Sequence, residues 1–77
     1  MSFNYNIYWE FFVHNIVWLR KHHNLSEERM AEILDIDIEL LRKVEKGDGA
    51  DDLSVAIVYK IYEFFDIAPN MLFEEKI

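Results

Sequence analysis

The chain contains no cysteine, one proline and only two glycines. The absence of cysteine excludes disulfide frameworks, thiolate metal sites and cysteine nucleophiles. The scarcity of glycine and proline, together with 52% hydrophobic residues, excludes a disordered chain. Because 77 residues are enough for one small domain only, the sequence predicts a single core and a single task.

Basic residues are scarce and long apolar runs are missing. Eight Lys and Arg residues against fifteen Asp and Glu residues give a net charge of −7, which opposes non-specific binding to nucleic acids. The uncharged stretch from Phe11 to Leu19, which contains His14 and Asn15, is much shorter than the roughly 18 residues of a membrane span. The first charge is Glu10, so the basic leader of a signal peptide is missing. We therefore expect a soluble, cytoplasmic protein with no membrane partner.

The first predicted helix runs from about residue 7 to residue 23. Tyr8, Phe12, Ile16 and Leu19 recur at spacings of four, four and three, which places them on one helical stripe. Asn6 stands where an N-cap is expected.

Two short helices follow, separated by a three-residue turn at 35–37. Ser26 is a favourable N-cap for the second helix, which ends near Leu34, and Asp37 can cap the third, which ends at Gly47. We expect Leu41 and Val44 of the third helix to pack on the second. Their predicted neighbours are Met30 and Ala31.

Two more helices complete the chain. Ser54 is expected to cap a fourth helix, and Pro69 suits the first turn of a short last helix through Phe73. The predicted core face of the fourth helix consists of Val55, Val58, Ile61, Tyr62 and Phe65. The pattern predicts five helices and no strands.

The order of residues around the turn resembles a known family. The segment from Leu25 to Asp37 reads LSEERMAEILDID and resembles the LSQEELAEKLGVS segment of lambda-repressor-like (Cro/CI or XRE) helix-turn-helix proteins. Leu19-Arg20 resembles the family's LR, and VEKG at 44–47 resembles its IERG. The resemblance covers about residues 12–73. It implies an all-α, five-helix lambda-repressor-like domain at 12–77, preceded by an aromatic extension at 1–11 that runs into the first helix.

The resemblance also implies a function and a set of site residues. Members of the family are DNA-binding transcriptional regulators that act as dimers on two half-sites, so double-stranded DNA and a second copy are the expected partners. The positions that correspond to DNA contacts are Glu27, Asp37, Ile38, Glu39, Arg42, Lys43 and Lys46. The expected dimer contacts are Ile57, Phe64, Leu72 and Phe73. Ile57 and Phe64 are predicted to project away from the core face of the fourth helix.

The charge of the residues expected to face DNA supports a second hypothesis. The bases among them are Arg42, Lys43 and Lys46. They are outnumbered by the acids Glu27, Asp37, Glu39, Asp48, Asp51 and Asp52. Because DNA affinity depends on neutralising phosphates, such a surface supplies little of it. The alternative is an acidic helix-turn-helix scaffold that has lost direct DNA binding and acts as a protein-interaction module.

Catalytic chemistry has almost no support in the sequence. No glycine-rich phosphate loop, nucleophile elbow or Ser-His-Asp arrangement can be assembled. Glu10 and His14 share a helix face, but no further ligand pattern completes a metal site. We expect no enzyme activity, metal or cofactor.

Overall fold

The computed structural model describes residues 5–48, 52 and 54–74. In this part of the chain the secondary structure consists of helices and contains no strand, which confirms the prediction of an all-α protein. The α-helices, in chain order, are α1 Tyr5–His22, α2 Glu27–Leu34, α3 Ile38–Glu45, α4 Val55–Phe65 and α5 Pro69–Leu72.

Helix α1 begins two residues earlier and ends one residue earlier than the sequence predicted. It begins at Tyr5, so Asn6 lies inside the helix and its prediction as the N-cap is wrong. The helix continues without interruption through residues 11 and 12. Arg20 and Lys21 lie in its last turn, where cations complement the negative end of the helix dipole. Asn24 then adopts a left-handed conformation with φ 55°, which turns the chain toward α2.

The ends of α2 and α3 agree with their predicted caps. The Oγ of Ser26 accepts a hydrogen bond from the backbone N–H of Arg29 at 3.0 Å. Asp37 occupies the N-cap position of α3, although its side chain makes no capping hydrogen bond. After α3, Gly47 has φ 93°, a conformation in which a side chain would be strained.

The core combines side chains from all five helices. The prediction for α1 is confirmed for Phe12, Ile16 and Leu19, whereas Tyr8 is exposed. The buried members of the core are Phe12, Ile16, Leu19, Met30, Ala31, Leu34, Leu41, Val44, Ile57, Ile61 and Leu72. The burial of the predicted pairs from α2 and α3 in this one cluster confirms the register of α3.

The buried face of α4 differs from the predicted one. Val55 is 85% exposed and Tyr62 is also exposed, so their assignment to the core is wrong. Ile57 is only 4% exposed, so the prediction that it projects away from the core is also wrong. The segment VAIVYKIYEFF is almost entirely apolar, so its pattern does not define one stripe.

A buried asparagine connects α1 to the end of α5. Asn15 is fully buried, and its Nδ2 donates hydrogen bonds to the carbonyl oxygens of Leu72 at 2.9 Å and Glu74 at 3.1 Å. The carbonyl of Met71 lies 3.4 Å from the same nitrogen. Carbonyls at a helix C-terminus have no partner within the helix, so Asn15 supplies one from α1.

We predict that Asn15→Ala destabilises the protein by about 1 to 3 kcal/mol, because buried carbonyls would lose their donor. Urea unfolding measures this loss, and amide hydrogen exchange should show faster opening of residues 69–74. Asn70→Ala, at an exposed position of α5, is the matched control. If the two variants are equally stable, Asn15 does not hold α5.

No helix in the described ranges is both long enough and apolar enough to cross a membrane.

Candidate recognition surface

The turn between α2 and α3 holds the two helices in a defined arrangement. Asp35 ends α2 in the left-handed conformation, with φ 57° and ψ 47°. The backbone N–H of Ile36 donates to the carbonyl of Ala31 at 3.0 Å. With Asp37 at the start of α3, the connection is the three-residue turn that the sequence predicted. The left-handed residue is Asp35, and Asp is one of the few residues other than glycine that adopt this conformation.

Helix α3 divides into a buried and an exposed face. Leu41 and Val44 are buried, while Glu39, Arg42 and Lys43 are exposed. Ile38 and Leu40, at the start of α3, are half-buried. Arg42 and Lys43 lie three and four residues after Glu39, so these exposed charges lie together on the outer side of α3.

Acidic residues of the same chain pair with two bases of α3. The Nε of Arg42 lies 3.5 Å from Oε1 of Glu27 on α2. The Nζ of Lys43 lies 3.1 Å from Oδ2 of Asp52. All four side chains are at least one-third exposed, so each pair is individually weak. Each of the two bases nevertheless already has a negative charge beside it, and this charge would compete with a phosphate for the base.

The net charge is negative on the candidate recognition surface, which consists of the exposed charged residues of α3, its N-cap, Glu27 and the segment after α3. Within the described residues, three bases stand against five acids: Glu27, Asp37, Glu39, Asp48 and Asp52. The sixth predicted acid, Asp51, lies outside the described residues. A cleft of about 580 Å³ beside α3 is lined by both kinds of charge, which include Lys43, Lys46, Asp48 and Asp52.

A bidentate ion pair joins α1 to α3 behind this surface. The Nε and Nη2 of Arg20 donate to the two carboxylate oxygens of Glu45 at 2.8 and 3.0 Å. The side chains are 17% and 10% exposed. Arg20 Nη1 also donates to the carbonyl of Leu25 at 3.3 Å. The pair therefore fixes α3 relative to α1, and Arg20 also holds the end of the α1–α2 connection at Leu25.

The pKa of Arg20 is raised above its ordinary value, first by the hydrogen bond to Glu45. Burial lowers it, and the negative charges of Glu45 and Glu27 raise it further. A raised pKa in the folded state means that the charged form of Arg20 stabilises the protein at neutral pH, where the Glu45 carboxylate is ionised. This stabilisation would be lost as the pH rises through the folded-state pKa of Arg20, far above neutrality.

The expected dimer contacts do not form one exposed patch. Ile57 and Leu72 are buried in the core, so neither can supply contact area as the protein stands. Phe73 is half-buried and stacks on Phe12 with ring centroids 5.1 Å apart. Phe64 is 51% exposed and is the candidate among these four that is free to meet a partner.

Two tertiary contacts had no signal in the sequence. Asn15 gave no sign of its role beyond being polar in an apolar stretch. Trp9 donates from Nε1 to the carbonyl of Gly47 at 2.7 Å, which connects the start of α1 to the segment after α3. An aromatic residue next to the core stripe could have indicated packing, but not this hydrogen bond.

The described residues contain no group of three or more His, Cys, Asp or Glu side chains placed to hold a metal ion. Comparison with protein-family models, curated proteins and solved structures finds no match for this chain.

Proposed function

We propose that this protein is a lambda-repressor-like helix-turn-helix domain whose acidic recognition surface binds a basic region of another protein instead of DNA. The resemblance of residues 12–73 to the lambda-repressor-like family suggests the fold. In support, the LR segment at Leu19-Arg20 and the VEKG segment at 44–47 are joined in space by the ion pair between Arg20 and Glu45.

The charge of the recognition surface carries the choice of partner. Acids outnumber bases on it, and Arg42 and Lys43 already face Glu27 and Asp52. Binding to DNA gains affinity from cations that replace the counterions of phosphates. A surface with excess carboxylates repels phosphates but attracts Lys and Arg side chains of a protein partner.

A DNA-binding transcriptional regulator is the second candidate function. It is favoured by the exposure of Arg42, Lys43 and Lys46, which follow one another along α3 and the turn after it. In this case Lys43 would contact a phosphate or a base edge, and Ile38 could contact a thymine methyl group. A homodimer remains a prediction under either function.

Fluorescence anisotropy with random duplex DNA distinguishes the two functions. We predict no binding by the wild type even at about 50 mM salt, where phosphate contacts are strongest. The triple variant D37N/E39Q/D52N should bind measurably, because it removes three negative charges and releases Lys43 from its ion pair. The matched control E63Q/D66N/E74Q changes the net charge equally at exposed acids outside α2 and α3, and it should not bind.

Wild-type binding that weakens with salt would contradict the proposal and favour the regulator. Lys43→Gln should then lower the slope of log affinity against log salt by about 0.9 for a lost phosphate contact. If the contact is to a base, the variant should instead lose sequence preference by about 1 to 3 kcal/mol.

A further inference from the structure

A groove of about 700 Å³ lies along α2 and the start of α3 on the side of the turn. Its apolar lining consists of Ala31, Ile36, Ile38 and Leu40. Ala31 is buried and the other three are half-buried, so part of their apolar surface still contacts water. Covering this surface with an apolar side chain would be favourable, and the volume suits one or two such side chains.

The rim of the groove carries charge of one sign. Its lining contains four carboxylates and neither Lys nor Arg; they belong to Glu28, Glu32, Asp35 and Asp37. Glu32 has a nearby cation, because its Oε1 lies 3.1 Å from Nη1 of Arg29. The other three carboxylates take part in no ion pair within the described residues. An apolar floor inside such a rim attracts a ligand that is both apolar and cationic.

We propose that this groove binds a basic amphipathic helix of a partner protein. The inference rests on the proposed function and names the part of the acidic surface that receives the partner. An aliphatic side chain would lie on Ile36, Ile38 and Leu40, and Lys or Arg side chains on either side of it would meet the rim. Laying the apolar stripe of a helix in a groove is a common mode of recognition.

Two other occupants are less compatible with the charges. A second copy of the chain carries a net charge of −7, so it offers the acidic rim no excess of cations. Nucleic acid is repelled by the same carboxylates. The neighbouring cleft beside α3 shares Asp37 and Leu40 with the groove. It also has Lys43 and Lys46 in its lining, so its charge favours a basic partner less strongly.

The inference can be tested with a labelled peptide of leucine and lysine, about 18 residues long, with leucines at helical spacings of three and four. We expect the wild type to bind the labelled peptide saturably. In NMR spectra of the protein, the largest changes in amide chemical shift on binding should occur at residues 28–40. The variant E28Q/E32Q/D35N removes three rim charges that line the groove and not the neighbouring cleft, and it should weaken binding about tenfold, since each exposed pair contributes a small factor. Asn tolerates the left-handed conformation that Asp35 adopts, so the turn is kept.

The matched control E39Q/D48N/D52N removes the same charge from the other cleft and should bind the peptide within about twofold of the wild type. A peptide of the same composition with scrambled leucines should bind at least about tenfold more weakly, because it presents no apolar stripe. If the control variant loses as much affinity as the rim variant, or if the scrambled peptide binds equally well, the acidic surface attracts basic peptides but the groove is not their site. Absence of binding also overturns the inference, whereas the proposed function fails separately, through wild-type binding to DNA.

Discussion

Leu41→Ala should destabilise the protein by about 2 to 5 kcal/mol. Leu41 is fully buried in the cluster that joins α2, α3 and α4, so its truncation loses apolar contacts and leaves a cavity. A domain of this size has only a few to about 12 kcal/mol of total stability, so the variant should lose a large share of it. Urea unfolding followed by circular dichroism measures the loss.

Leu40→Ala is the matched control for this prediction, because it makes the same chemical change at the neighbouring, half-buried position. It should cost clearly less than Leu41→Ala. If Leu41→Ala lies within about 1 kcal/mol of the wild type, or if the order of the two variants is reversed, α3 does not present Leu41 to the core. A Leu41→Ala chain that fails to fold would agree with the prediction, provided that Leu40→Ala folds.

Glu45→Ala should destabilise the protein by about 2 to 4 kcal/mol. It leaves the guanidinium of Arg20 mostly buried with a single remaining acceptor, the carbonyl of Leu25. Removing one partner of a fully buried pair costs about 3 to 5 kcal/mol, and the partial exposure of these side chains reduces that figure. Arg20→Lys should also destabilise, because an ammonium group cannot donate to both carboxylate oxygens in the same planar geometry.

The double variant R20M/E45L separates two contributions to the free energy of unfolding: the penalty for an unpaired buried charge and the stabilisation by the pair itself. Replacing both partners by apolar residues should recover most of the stability lost in Glu45→Ala, since no buried charge is left alone. Exposed pairs offer a control: Arg29→Ala should change stability by less than about 1 kcal/mol, because Arg29 and Glu32 lie in water. Equal losses for Arg29→Ala and Glu45→Ala would contradict this account.

Local signals in the sequence predicted most of the fold. The cap at Ser26, the stop at Gly47 and Pro69 at the start of α5 each act within a few residues, so their positions can be recognised from the chain alone. The spacing of Phe12, Ile16 and Leu19 by four and three residues also predicted their burial correctly, although α1 carries further apolar residues beside this stripe.

The same approach failed in α4, because nearly every residue there is apolar and the sequence offers more than one helical face for burial. Only packing against the other helices decided that Ile57 is buried and that Val55 and Tyr62 are exposed. The choice depends on where the rest of the core lies, and no pattern within α4 contains that information.

For the candidate recognition surface, the sequence by itself determined which charges are present and that acids exceed bases. Only the tertiary structure decided how they combine: Arg42 with Glu27, Lys43 with Asp52, and Arg20 with Glu45. The partners of these pairs come from different helices or segments, and ion pairing depends on distances of a few ångströms that no local pattern specifies. The same reason explains why Asn15 became recognisable as the donor to the end of α5 only after the helices had packed.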